Sequence, residues 1–225
     1  MPAAARELYQ QITKEYRIGF EPLHFGDTRL NLLTIADLEP LLEGKDALKN
    51  VADFPFWVKL WEAAIVLAQF LGTQKFDQGT TLLELGAGLG APGLAAAGAG
   101  CEVTLSDYEE LILDFERVSA AASKLDNVQC MMLDWKNPPV MQRFDIIVGA
   151  EILFREEFFA PLLGVMRQAL KPEGVIYLAH DVRRKSLSPF LRMAQDEYNI
   201  AASKKTLRSL EEDRIVIMNR LVPKK

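Results

Sequence analysis

Four carboxylates of this chain stand where they can do chemistry around one glycine-rich turn. Glu84 lies two positions before the first of the glycines at 86, 88 and 90, Asp107 lies further on at the end of an apolar run, Asp134 is joined to Trp135, and Glu151 closes another apolar segment. Glycines on alternate positions let the backbone turn sharply and approach a ligand closely. A helix that begins just after them offers N–H groups with no intrahelical partner. An acid about 20 residues past such a turn, at the end of the next strand, can accept hydrogen bonds from ribose hydroxyls. The glycine run alone does not prove a ligand site, because small-residue turns between strand and helix also serve packing.

These residues need a scaffold that gathers them. Residues 80–85 (TTLLEL) read as a short buried strand, and the glycine turn is followed by APGLAAAGAG, where Pro92 suits a first helical turn and Gly98 and Gly100 an end. Strands are expected at 101–107, 127–135, 143–151 and 174–181, with a late one at 214–221. Between them, Leu111, Phe115, Val118, Ala122 and Leu125 recur at helical spacing. So do Phe158, Leu162, Val165 and Ala169, which a Lys-Pro-Glu-Gly turn at 171–174 ends, and then Leu187, Leu191, Ala194 and Tyr198. Such alternation predicts an α/β fold, a mostly parallel sheet with helices on both faces. In such sheets ligands lie beyond the carboxyl ends of the strands, which is where Glu84, Asp107, Asp134, Trp135 and Glu151 fall.

Composition narrows the possibilities. With 225 residues, 49% apolar and 25% charged, the chain has enough material for one hydrophobic core. A net charge of −5 argues against a broad phosphate-binding surface, so no nucleic acid partner is expected. No apolar run reaches the roughly 20 residues of a membrane helix, and the start of the chain is too polar for a signal peptide; a cytoplasmic protein is expected, with a monomer favoured. Cys101 and Cys130 form no metal-binding pattern and read as reduced core thiols, so no metal is expected. His180, beside Asp181 at a strand end, is a structural histidine or a base.

Two nucleotide classes fit the turn. Gly86, Gly88 and Ala91 satisfy the GxGxxA dinucleotide fingerprint, and Asp107 serves either class. Glu84 and the Asp134-Trp135 pair favour S-adenosylmethionine: a carboxylate suits the amino group of its methionine moiety, and a polar side chain with an aromatic face suits adenine.

The order ELGAGLGAPGLAAA, VTLSD, LDW and FDIIVGAEILF resembles the seven-β-strand class I methyltransferases, which implies a Rossmann-like seven-stranded sheet whose late strand is antiparallel. More narrowly it is similar to their protein-lysine methyltransferase branch (methyltransferase-16-like), through KLWEAAIVLAQFL at 59–71, Leu133-Asp134-Trp135, and Glu151-Ile152-Leu153-Phe154. The likeness is good over roughly residues 54–180.

The resemblance implies S-adenosyl-L-methionine as cofactor and S-adenosyl-L-homocysteine as product. Gly86, Ala87, Gly88 and Gly90 would wrap the methionine end, with Glu84 bearing on its amino group. Asp107 would hold the ribose beside Tyr108, Asp134 and Trp135 would meet adenine, and Trp61 and Ala150 would close the pocket. The acceptor would be an accessible lysine of a protein substrate, with Glu151 aiming the amine and Phe154 walling its channel. Each has a plainer alternative. Trp61 shares a helical stripe with Val58, Ile65 and Ala68, Asp134 can start a turn, Trp135 can cap the sheet, and Glu151 can pair with Arg155 or Arg183. A small-molecule methyltransferase, a non-catalytic binding module and, more remotely, a nicotinamide dehydrogenase stay open beside this reading.

Residues 1–52 read as an N-terminal accessory extension over the ligand mouth, with a hairpin turn at Gly26-Asp27, and residues 53–225 as the methyltransferase domain. Phe54, Phe56 and Trp57 stand as candidates for the acceptor entrance. Arg183-Arg184-Lys185 can meet an acidic surface on a protein substrate or form a solvated turn.

Overall fold

The computed structural model describes residues 1–43, 54–208 and 212–225. The expected domain boundary at 52/53 lies outside the described residues. The chain opens with helix α1 (Ala3–Glu15), the hairpin β1 (Ile18–Phe25) and β2 (Thr28–Ile35), and the short helix α2 (Glu39–Leu42). Helix α3 (Glu62–Gly72) leads into β3 (Thr81–Leu85), α4 (Ala91–Gly98), β4 (Glu102–Asp107), α5 (Glu110–Ala122) and β5 (Val128–Met132). Then follow β6 (Phe144–Ala150), α6 (Phe159–Ala169), β7 (Leu170–Asp181), α7 (Leu187–Ala194), β8 (Tyr198–Leu207) and β9 (Arg214–Pro223).

Strands β3 to β9 form one seven-stranded sheet in the order β5-β4-β3-β6-β7-β9-β8. The first five strands pair in parallel, and β9 runs antiparallel to both its neighbours. From β3 the chain steps outward to β4 and β5, then returns to place β6 on the other side of β3. That reversal opens a crevice past the carboxyl ends of β3 and β6.

Alternation along the strands divides the core. Leu82, Val103 and Leu105 pack towards α3 and α4, while Leu83, Leu85, Ile147, Ile176 and Leu178 pack towards α6 and α7. Helix α4 is buried over residues 91–97, which explains its alanine and glycine content: it has no solvent face. At Gly93 a Cβ would come within 2.3 Å of Leu105 and 2.7 Å of the Glu84 carboxylate, so only glycine lets the helix lie this close to the sheet.

The N-terminal hairpin covers the outer side of that helix. Phe25, Leu30 and Leu32 join the α3–α4 core, and Leu33 packs with Ile12 of α1 on Phe115 and Val118 of α5. The turn falls at Gly26-Asp27 as the sequence predicts, Phe25 pairing with Thr28. The hairpin lies on α4 and α5, whereas the sequence suggested a cover over the ligand mouth. Its free edge is satisfied by serines one helical turn apart: Leu33 N–H donates to Ser119 Oγ and Asn31 N–H to Ser123 Oγ, both at 2.9 Å. Ser119→Ala strands the buried Leu33 donor and should cost about 1–3 kcal/mol, read by urea unfolding; an unchanged midpoint would remove the serine from the account.

Two expected elements differ. Tyr198 begins β8 rather than extending the last helix, which ends at Ala194. The segment 171–174 belongs to β7, where the pairing with β6 shifts register between Phe144 and Ile146. His180 is fully buried, its side chain has no hydrogen-bond partner among the described residues, and burial, followed by the charge of Arg184, pushes its pKa down to about 3. It is a neutral core residue, and a base role for it is set aside. Cys101 and Cys130 are free, and burial pushes the Cys101 thiol up to about 12.

Candidate active site

The glycine turn leaves β3 with Gly86, Gly88 and Gly90 all left-handed, at φ of 58°, 55° and 72°. Any other residue is strained there. The turn sits between two tryptophans. A Cβ on Gly86 would lie 3.1 Å from Ile152 and 3.4 Å from the Trp135 ring, and one on Gly88 would lie 3.5 Å from the Trp57 carbonyl.

Most of the turn's donors are used internally, which shapes the loop before any ligand arrives. Ala87 N–H donates to the Ser106 carbonyl at 3.0 Å and Gly90 N–H to the Ala87 carbonyl at 2.8 Å. Gly88 N–H donates to Asp107 Oδ2 at 3.0 Å, and Gly93 N–H of α4 donates to Glu84 Oε2 at 2.7 Å. Glu84 therefore anchors the helix start beneath the loop and is fully buried, rather than open at the mouth.

Asp107 ends β4 with its second oxygen accepting Tyr108 N–H at 2.8 Å. Each oxygen retains a lone pair for a further donor. Burial raises its pKa to about 6 against the opposing effect of those two backbone bonds. Tyr108 stands 66% exposed beside it.

Behind Asp107 lies a residue the sequence reading missed. Glu116 of α5 is completely buried, and its Cγ would be 3.6 Å from a Cβ on Gly90. Neither oxygen has a hydrogen-bond partner of good geometry among the described residues, the Cys130 thiol being its polar neighbour. Burial, then the charges of Asp107 and Glu84, hold its pKa well above the ordinary range, and burial chiefly raises that of Glu84 to about 8. Helical spacing gave no signal for it, because position 116 lies next to the apolar stripe and an acid there reads as solvent-facing.

These shifts fix a sign. A carboxyl raised in the folded state contributes stability that is present below its unfolded pKa and lost as pH rises through the folded one. For Glu84 the window runs from 4.5 to about 8. Thermal midpoints should therefore decline across that range. Glu116→Met should flatten part of the decline and raise the midpoint at neutral pH, by about 2–4 °C for each kcal/mol of a penalty of about 1–3 kcal/mol. A lower midpoint in that variant would show that the acid is satisfied.

On the far side, Asp134 is exposed and caps its own turn, accepting Lys136 N–H at 2.9 Å and Asn137 Nδ2 at 3.1 Å. Those bonds, the Lys136 one first, lower its pKa. Trp135 is half-buried and begins an aromatic row: its ring centroid is 5.9 Å from Phe158, which is 5.7 Å from Phe154. Phe154 is 53% exposed, so it is not core. Phe158 was read only as part of a helix stripe. A second row lies in the segment before α3, with Phe54 and Phe56 at 5.1 Å and Phe56 and Trp61 at 6.1 Å. Trp61 starts α3, donates its indole N–H to the Phe56 carbonyl at 2.9 Å, and carries Lys59 Nζ at 4.4 Å over its ring. Trp57 packs edge-on to Phe115 at 5.1 Å, its backbone lying over Gly88.

Ala150 is the last residue of β6, and Glu151 follows it at φ 58°, a left-handed conformation that costs a non-glycine residue of order 1–2 kcal/mol. Surrounding bonds hold it there. Its backbone N–H donates to the Ala179 carbonyl at 2.9 Å, and Oε1 accepts Asp181 N–H at 2.6 Å. Oε2 accepts the guanidinium of Arg184 through Nε at 2.9 Å and through a second, shorter bond. The cation is Arg184, where the sequence offered Arg155 or Arg183. Arg183 instead chelates Asp181.

This arrangement fits an adenosyl ligand with a charged amino-acid end. It offers a pre-shaped glycine cradle, a nearly buried carboxylate with free lone pairs for ribose, and a tryptophan against the cradle for a base ring. No cluster of residues suited to a metal ion occurs among the described residues, and no helix among them is long and apolar enough to cross a membrane.

Comparison with known proteins agrees with this geometry. A solved precorrin-6y C5,15-methyltransferase from Geobacter metallireducens superposes with a TM-score of 0.61 at 14% identity, covering 76% of this chain and 92% of that one, a likeness of fold. A protein N-lysine methyltransferase METTL21A of Xenopus tropicalis is 32% identical over 148 residues, spanning 63% of this chain and 68% of its own. A histone-arginine methyltransferase METTL23 of Rattus norvegicus is 37% identical over 124 residues, spanning 52% of this chain and 55% of its own. The lysine methyltransferase family model matches residues 49–197, which carry the glycine cradle, the acid at the end of β4, the Asp-Trp pair and Glu151. That match spans well over half of the sequence, and the chain belongs to the lysine methyltransferase family.

Proposed function

We propose that this chain transfers a methyl group from S-adenosylmethionine to the ε-amino group of a lysine in a protein substrate. The observation that supports lysine best is Glu151: a carboxylate fixed at the crevice by Asp181 N–H and Arg184, beside the exposed ring of Phe154. S-adenosylmethionine, when bound, supplies an electrophilic methyl group on a sulfonium.

The remaining work falls to the chain. Asp107 accepts hydrogen bonds from the ribose, the glycine turn wraps the amino-acid end, and Trp135 and Asp134 receive the adenine. Glu84 acts one step back, holding α4 and the turn in place. A free lysine has a pKa of about 10.4, so little neutral amine exists near neutrality. Once the ammonium has given up its proton to water, Glu151, which retains acceptor capacity beyond its bonds to Asp181 and Arg184, takes a hydrogen bond from the neutral amine, aims its lone pair at the methyl group and stabilises the cationic product as S-adenosylhomocysteine leaves. The aromatic rows exclude water and offer faces to the methylated ammonium. Catalysis on this reading is mostly alignment of the two reactants.

The acidic net charge and two unpaired cysteines suit a cytoplasmic protein without a nucleic-acid partner. The rat relative is named for arginine, so the acceptor is the point to test. Incubation with methyl-labelled S-adenosylmethionine and cell extract, followed by acid hydrolysis of the labelled protein, should yield methyllysine. Methylarginine would move the acceptor to another side chain, and label confined to small molecules would overturn a protein substrate.

A further inference from the structure

We propose that the cleft between α7 and the edge strand β8 is a docking groove for an acidic segment of the protein substrate; this rests on the protein-lysine reading above. The cleft holds about 590 Å³. Leu187, Leu191 and Ile200 give it apolar lining, and Arg184, Arg192 and Lys224 supply its charge. No carboxylate lines it among the described residues. That is notable in a chain of net charge −5. The hydrogen bond of Arg192 goes to neutral Ser188 Oγ at 3.0 Å. Glu197, close in sequence, is chelated by Arg167 at 2.6 and 2.7 Å.

Two features point to an extended peptide. Among the described residues strand β8 ends the sheet and pairs with β9 alone, so its other backbone edge has no strand partner among them. Such an edge with cationic and apolar side chains near it suits an extended chain. The groove also reaches the candidate active site directly, because Arg184 both lines it and holds Glu151. Helix α7 has eight residues and is about 12 Å long, and an extended chain covers that distance in about four residues. A lysine presented to Glu151 therefore places side chains only a few positions away over Arg184, Arg192 and Lys224. Carboxylates there complement the charge. A guanidinium has five N–H donors, so an incoming carboxylate can share Arg184 with Glu151. A polyanionic nucleic acid is disfavoured by the overall negative charge and the apolar lining.

The test uses the full chain and fluorescence anisotropy with a labelled peptide that carries one lysine followed by a run of glutamates, against the same peptide with serines. The acidic peptide should bind about tenfold more tightly at low salt, the gap narrowing as salt is added. Arg192→Glu with Lys224→Glu should abolish that preference and leave the thermal shift given by S-adenosylmethionine unchanged. Equal binding of the two peptides, a preference that survives the double substitution, or tighter binding of a single-stranded oligonucleotide would overturn the groove. Peptide binding needs no methyl transfer, so a chain that fails to bind S-adenosylmethionine but keeps the peptide preference would refute the proposed activity and not the groove.

Discussion

Replacing Glu151 with glutamine lowers turnover by about 10²–10⁴-fold while cofactor affinity stays the same. Glutamine preserves the shape and can still accept the Asp181 N–H. It removes the negative charge that faces the amine before transfer and the methylated ammonium after it. The effect should therefore appear in kcat rather than in the thermal shift produced by S-adenosylmethionine. Arg184 loses its ionic partner in this variant, but its side chain is 30% exposed and can turn to water, so the fold should survive. A melting curve checks that. Wild-type turnover in a folded Glu151→Gln protein would exclude the carboxylate from the reaction and leave its left-handed backbone unexplained by function.

Asp107→Ala should weaken S-adenosylmethionine binding by about 10–100-fold, the loss expected when a charged hydrogen-bond acceptor worth about 1.5–3 kcal/mol is removed. Two causes combine: the ribose loses its acceptor, and the Gly88 N–H that shapes the turn loses its anchor. Both depend on the ionised carboxylate, so the affinity should follow its titration. Because burial raises the Asp107 carboxyl to about 6, the ionised form that accepts from ribose is depleted as pH falls through 6. Wild-type affinity should drop there, and the Asp107→Ala variant should bind weakly with no such step. Calorimetric titration between pH 5 and 8 reads both. A wild-type affinity that stays flat across that window would show that Asp107 does not contact the ligand in its charged form.

Much of the architecture was legible in residue order. The segments leading to Glu84, Asp107 and Glu151 are strands with both faces buried, which leaves them mostly apolar, with Thr104 and Ser106 as buried polar exceptions before Asp107. The Gly26-Asp27 hairpin was legible because two-residue turns demand residue types that tolerate left-handed backbone. Boundaries at 171–174 and at Tyr198 were not: a register shift and an antiparallel edge strand depend on partners remote in sequence. A period-3.6 pattern also continues by chance from α7 into the first residue of β8.

The chemical types at the site, a glycine cradle with acids at successive strand ends, were determined by the sequence alone, since the succession of strands and helices along the chain and the turn chemistry are local properties, and parallel strands place those residues at one end of a sheet. Which acid faces the ligand and which is buried was decided by packing. Glu84 is claimed by the Gly93 N–H because α4 lies close against the sheet, Glu116 is enclosed because α5 turns it towards Gly90 and Cys130, and Glu151 is held by Arg184 because β7 brings that arginine beside the end of β6. Burial and pairing are properties of neighbours in space, and only the tertiary fold chooses those neighbours.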